Sequence, residues 1–338
     1  MKRSLCLLLA LLLLTGCAAG KPAGPTRYEA SFLSLFDTVT TMVGYADSEE
    51  AFRETARRIH DELEVYHQLF DIYNEYPGVT NLKIVNDLAG RQAVTVDRKI
   101  IDLLLFCKQM EQTTGGAVNV AMGSVLSLWH EARNDGIHNP SLAELPDMDA
   151  LREAAAHTDL DDVILDEAAC TVRFADPALK LDVGAVAKGY AAEQVCRTAP
   201  AGLLVSVGGN VCGTGPKPDG SNWVVGLQDP DSDGNLHTVY VDRGSVVTSG
   251  DYQRYYTVDG VQYHHIIDPD TLMPGTKWRA VSVLCADSGV GDALSTALFL
   301  LDQPAGQALL EQFDAEAMWL DGDGNEYFSP GFQQRLRT

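Results

Sequence analysis

Asp292 and Thr296 lie four residues apart in the run Gly291-Asp292-Ala293-Leu294-Ser295-Thr296-Ala297-Leu298-Phe299-Leu300, an apolar pattern with the look of a helix. That spacing puts a carboxylate and a hydroxyl on one helical face. Two hard oxygens so placed suit a cation such as Mg2+. A capping Asp and a Thr bonded back to its own helix leave the same trace. His264-His265, the one adjacent His pair, precedes Ile266-Ile267-Asp268-Pro269. A neutral imidazole there is a candidate general base, and equally a structural His at a strand end.

A third stretch runs from Leu181-Asp182-Val183 through Gly184-Ala185-Val186 to Ala187-Lys188-Gly189-Tyr190. It reads as a strand over Leu179 to Val183, a turn of small residues, and a helix from about Val186 to Thr198. A helix start exposes unpaired N–H groups and partial positive charge, which hold an anion such as a phosphate. A packed strand-turn-helix without a ligand fits the same letters. The aromatic loop Asp71 to Pro77 carries Tyr73 and Tyr76, which either stack on a planar ligand or seal a core edge.

Other chemistries lack their signatures. There is no Gly-x-x-x-x-Gly-Lys-Ser/Thr loop, no Gly-x-Ser-x-Gly elbow and no His-Glu-x-x-His, which removes support for P-loop hydrolysis, serine hydrolysis and zinc proteolysis. The formal charge is −22, a surface unsuited to nucleic acid or anionic lipid. An anionic ligand therefore needs a local cation or helix start.

The elements that must position these residues follow from periodicity. Tyr28 to Tyr45 alternates as strand does, and Asp47 with Glu50 forms a capping pair for a helix. In that helix Phe52, Ala56, Ile59, Leu63, Tyr66 and Phe70 form one stripe facing a sheet. A short helix is expected over Val79 to Asn86, and Asp97 caps another that ends at Gly115-Gly116. Asn134 to Pro146 reads as a surface loop. Asp149 to Ala156 reads as a short helix, and Asp162 to Leu165 with Thr171 to Phe174 as a hairpin. Strand-like runs at Leu203 to Val207, Trp223 to Leu227, Thr238 to Val241, Ser245 to Thr248, Tyr255 to Val258 and Ala280 to Ala286 are punctuated by Gly and Asp. Interspersed helices and strands, with sheets mixed or antiparallel, give an α+β fold.

At the N-terminus, Lys2 and Arg3 precede an apolar run from Leu5 to Leu14 that is too short to cross a bilayer and ends in Leu14-Thr15-Gly16-Cys17. This reads as a secretory signal over residues 1–17 with a lipobox, Cys17 being the lipidation site. Residues 18–28 form a tether and residues 29–335 the domain. Of the seven cysteines, Cys6 and Cys17 belong to the signal. The other five are widely spaced without Cys-x-x-Cys, which fits small buried hydrophobes better than a disulfide or zinc framework.

Taken together and in order, several motifs resemble the ApbE-like FAD:protein FMN transferases. They are Phe36-Asp37-Thr38, Thr114-Gly115-Gly116-Ala117-Val118-Asn119, Leu181 to Tyr190, Val205-Ser206-Val207-Gly208-Gly209-Asn210, Thr248-Ser249-Gly250-Asp251-Tyr252, His265 to Pro269 and Asp292 to Ala297. The resemblance implies an enzyme, lipid-anchored to the extracytoplasmic face of the cell membrane, that splits FAD. It moves FMN onto a Thr or Ser hydroxyl of an acceptor protein and releases AMP. It implies Mg2+ held by the side chains of Asp292 and Thr296 and the carbonyl of Ala185. Asp182, Lys188, Ala117, Val118, Asn119 and Ile267 would line the FAD site, with Phe36 and Tyr73 beside its rings and His265 as base. Phe36-Asp37 stands where many members have Met-Gly, Asn119 where many have Asp, and Ser124 where a Pro is frequent. The same residues would serve a Mg2+-dependent FAD diphosphatase, in which water replaces the acceptor, and a lipid-anchored FAD-binding protein without catalysis is the remaining alternative.

Overall fold

Eight antiparallel strands form the frame, in the spatial order Thr26–Leu35, Thr38–Ala46, Leu203–Val207, Asn210–Thr214, Arg243–Gly250, Ala280–Cys285, Ala315–Leu320 and Glu326–Phe328. The structure is a computed structural model that describes residues 24–337. The signal, Cys17 and most of the tether lie outside the described residues, and strand begins at Thr26.

The period of two along each strand sends neighbours to opposite faces. Met42, Val283 and Ala317 enter a core under the helices Glu49–Phe70, Ala187–Thr198 and Ser288–Leu300. Val43, Leu284 and Met318, one residue on, enter a second core under the hairpin Trp223–Gln228 and Asn235–Val241, with Trp223, Val225 and Val239. The sheet is thus covered on both faces. The helix Ser288–Leu300 is buried along most of its length, as a helix that is apolar all round must be. A third, smaller core joins the helix Gly123–His138 to the hairpin Tyr255–Val258 and Val261–His264 through Val125, Trp129, Tyr256 and Leu272. The indole N–H of Trp129 donates to the Leu272 carbonyl at 3.0 Å.

Several local expectations change. Ser48, not Asp47, caps the first helix, because its extended backbone lets Oγ accept the Ala51 N–H. Residues 134–138 continue the helix that starts at Gly123 rather than beginning a loop. Asp287 caps the helix Ser288–Leu300, so Asp292 is not the cap and falls in the second turn. The short helix is Leu82–Asp87. The expected Asp97 cap is present, accepting from the Lys99 N–H at 2.8 Å. The helix it starts ends ahead of Gly115 and Gly116, both at positive φ. Cys107, Cys196 and Cys212 are buried, and all five described cysteines are free thiols.

The segment Leu179 to Val183 is extended, with Leu179, Leu181 and Val183 buried, yet it is not a strand: Lys180 makes a single parallel bridge to Met122. A side chain replaces the missing neighbour. Asn86 donates Nδ2–H to the Leu181 carbonyl at 3.0 Å and accepts the Leu181 N–H at 2.8 Å. The Asp182 N–H donates to the Val120 carbonyl. Asn86→Ala should therefore strip two backbone bonds at once and lower stability by about 2 kcal/mol, read by urea denaturation at unchanged m. A loss below about 0.5 kcal/mol would mean water takes over both groups.

Candidate active site

A cavity of about 460 Å3 opens between the helix-covered sheet and the smaller third core. Strand ends, helix ends and several loops converge there. Every residue expected at the site borders it: Phe36 and Tyr73 on one side, Ala117, Val118 and Asn119 on another. Asp182, Ala185 and Lys188 border it from the start of the helix Ala187–Thr198, with Asp292, Thr296, His265 and Ile267 beside them.

The corner where a metal is expected is built by close helix packing. Gly189 donates its N–H to Asp292 Oδ2 at 2.8 Å. In a regular helix that N–H would reach back four residues to Ala185. Among the described hydrogen bonds the Ala185 carbonyl consequently accepts none. Lys188 Nζ stands 4.0 Å from Asp292 Oδ2. Thr296 Oγ1 donates to the Asp292 carbonyl at 3.3 Å. The Thr bonded back to its own helix is therefore present, whereas the capping Asp is not. Asp292 is 4% exposed. Burial raises its pKa, against the pull of the Lys188 ammonium, the Gly189 N–H and the Asn210 amide. A buried carboxylate beside a bare carbonyl and a hydroxyl is a hard-oxygen donor set that suits Mg2+.

Gly189 is what permits this approach. A Cβ there would lie 2.5 Å from Asp292 Cβ and closer still to the Ser288 carbonyl oxygen. Gly189→Ala should force the helices apart and lower stability by about 3 kcal/mol. Thermal melts check this, and an unchanged Tm would show that the contact yields without cost.

His264 and His265 divide their roles. Nε2–H of His264 donates to the Gly275 carbonyl at 2.7 Å, and its Nδ1 accepts the Ile266 N–H at 3.2 Å. That ring fastens the loop. His265 Nδ1, in contrast, is buried without a partner among the described residues. Burial, then Arg254, Lys188, His264 and Arg133, push the His265 pKa down to about 3, so the ring is neutral in the free protein.

Also at the cavity, Asp71 folds the aromatic loop. It accepts N–H bonds from Tyr73 at 2.6 Å and Asn74 at 3.0 Å, and the Tyr76 hydroxyl donates to it at 2.7 Å. Burial alone would raise the Asp71 carboxyl, but these bonds outweigh it and hold it below its ordinary value. Tyr73, 50% exposed, stacks on His130 with ring centroids 5.0 Å apart. Phe36 and Asp37 both sit at φ 53 in the two-residue turn between the first two strands, the left-handed conformation such hairpins demand. For a Phe that conformation costs about 1 kcal/mol or more, and the Phe36 N–H is held by His67 Nδ1 at 3.2 Å.

Asp182 Oδ1 accepts the Gly184 N–H at 2.9 Å, and burial raises its carboxyl. Asn119 spends its side chain on backbone, accepting from the Ala121 N–H and donating to the Thr158 carbonyl. It therefore offers a ligand its main chain. Sequence reasoning did not single out Arg133, Arg254, His130 or Asn210, all of which line the cavity. Asn210 had a usable signal, since it ends a quoted motif. The arginines had none, as each lies on an element defined by other residues.

The half-buried His60 and the exposed Asp61 and Glu64 bring three metal-capable side chains together on the first helix, and none of them lines the cavity. No helix among the described residues is long and apolar enough to cross a membrane.

A family model described as the ApbE family matches residues 36–319. An FAD:protein FMN transferase of Treponema pallidum (strain Nichols) is 36% identical over 278 residues, covering 76% of this chain and 75% of that protein. One from Klebsiella pneumoniae (strain 342) is 34% identical over 290 residues, covering 83% and 86%. The crystal structure of the ApbE protein from Thermotoga maritima superposes with a TM-score of 0.82 at 29% identity, covering 93% of this chain and all of that one. On sequence and fold alike, the chain belongs to the ApbE family.

Proposed function

We propose that this chain is a Mg2+-dependent FAD:protein FMN transferase, attaching FMN through a phosphoester to a Thr or Ser hydroxyl of an acceptor protein. The observation that carries the reading is the meeting, in one cavity, of a bare Ala185 carbonyl, the Asp292 carboxylate and an unpartnered His265 nitrogen. The names of the relatives support the transfer itself.

Asp292, Thr296 and the Ala185 carbonyl would hold Mg2+, which when bound neutralises phosphate charge and aligns the diphosphate. Lys188 adds a positive charge at the same corner. The acceptor hydroxyl oxygen attacks the phosphorus of the FMN half, and its proton passes to His265 Nδ1. The bond to the bridging oxygen breaks, and AMP leaves with the electron pair. His265 suits this step because it is neutral and its Nδ1 is not consumed by the fold. Tyr73, stacked on His130 at the rim, provides an aromatic face for the isoalloxazine ring. Release at Cys17 and lipid attachment there would place the enzyme on the extracytoplasmic face of the cell membrane.

Diphosphatase action uses the same groups with water as nucleophile. Incubation with FAD and Mg2+, with and without a Thr-bearing acceptor, separates the readings. Transfer predicts FMN bound to protein in step with AMP release. Free FMN at the same rate in both reactions would make the protein a diphosphatase, and intact FAD in both would leave a binding protein.

A further inference from the structure

Asn210 is the best-buried polar side chain at this cavity with a donor left over. It is 3% exposed, lines the cavity, and its Nδ2 finds no acceptor among the described residues. A buried amide N–H without a partner costs about 1–3 kcal/mol, so its retention calls for an acceptor that arrives from outside. Its placement is not left to side-chain freedom. Leu203–Val207 and Asn210–Thr214 are joined by Gly208-Gly209 alone, with φ of 59 and 93, and Val207 pairs with Asn210. Such a two-residue turn with both positions left-handed fixes the register of the residues that flank it. A Cβ at Gly208 would meet Thr38 Oγ1 at 2.7 Å, so the turn is wedged against the neighbouring strand. The Asn210 amide faces Asp292, beside Lys188 and the Gly189 N–H, close enough to act on its charge but outside the geometry of a hydrogen bond. The donor therefore sits at the metal corner rather than at the aromatic rim.

We propose that Asn210 is a positioning residue whose Nδ2–H donates to a phosphoryl oxygen of the substrate diphosphate, completing the corner formed by Asp292, Lys188 and Ala185. This rests on the diphosphate reading above. A phosphoryl oxygen is the acceptor such a position favours, since the bond is then charge-assisted and about twice as strong as a neutral one. Lys188 supplies charge, and the rigid hairpin supplies direction.

The test uses the mature enzyme, Mg2+ and two probes, adenosine diphosphate and adenosine, with Asn210→Leu and Asn210→Ala as variants. Calorimetry of the unaltered enzyme first asks whether the cavity takes the diphosphate in preference to the nucleoside. Failure at that stage overturns the diphosphate reading itself. Where the preference holds, both variants should bind adenosine diphosphate about tenfold or more weakly, while adenosine affinity stays unchanged. Their Tm without ligand should be equal to or above that of the parent, because an unpartnered donor has been removed. An equal loss for both probes, or no loss for either, overturns the assignment of Asn210. So does a fall in ligand-free Tm by several degrees, which would mark a structural residue. Transfer assays should show kcat retained better than kcat/KM.

Discussion

Asp292→Asn should leave a folded protein whose FMN transfer falls by roughly a thousandfold, about 4 kcal/mol of lost transition-state stabilisation. The fold survives because an amide oxygen can still accept the Gly189 N–H that joins the two helices. Stability without metal should not drop and should rise slightly, since burial works against the Asp292 charge and the substitution removes that charge. On the proposed reading Mg2+ should raise the Tm of the unaltered protein and leave that of the variant unchanged. Transfer within a few-fold of the parent would remove Asp292 from the metal site. A collapse of Tm would instead make it a structural clamp.

His265→Ala should bind FAD nearly as well as the parent and lose about 100- to 10,000-fold in kcat. The physical ground is the pairing of a free Nδ1 with a pKa near 3. Arg254, Lys188 and Arg133 help to hold that value down, and a bound diphosphate offsets positive charge. The His265 pKa should accordingly climb when substrate binds, so the acid limb of kcat should lie above pH 3. A stability signature accompanies it. The unfolded chain takes up a proton at His265 near pH 6.5, whereas the folded chain resists until about pH 3. Unfolding is thus favoured as pH falls through 6.5. Removing the ring should shift the balance towards the variant by about 2 kcal/mol between pH 7 and pH 5. A stability gap that does not change with pH would mean that the ring is well solvated.

Periodic elements were the legible part of the fold. The stripe from Phe52 to Phe70 and the cap at Asp97 follow from spacing, and both stand. The failures share a cause, which is tertiary contact standing in for local pattern. Leu179 to Val183 alternates like a strand, but its partner is the side chain of Asn86, ninety-five residues away. Asp292 resembles a cap until Asp287 takes that place.

At the site, residue types could be nominated one by one, and their convergence could not. Ala185 shows why. Nothing in an alanine announces a free carbonyl; it becomes free because Gly189 bonds to a residue more than a hundred positions later. His265 could be proposed from its neighbours, but only the packing of His264 against Gly275 shows which ring is spared. Arg133 and Arg254 escaped because their helix and loop were read for apolar residues and turns.

The account turns on where the FMN goes, and intact-mass spectrometry of a Thr-bearing acceptor protein answers that directly. The acceptor is incubated with the mature enzyme, FAD and Mg2+, then denatured. The account predicts one added FMN on the acceptor, absent when that Thr is Ala and absent with Asp292→Asn. An acceptor of unchanged mass beside free FMN and AMP would contradict it.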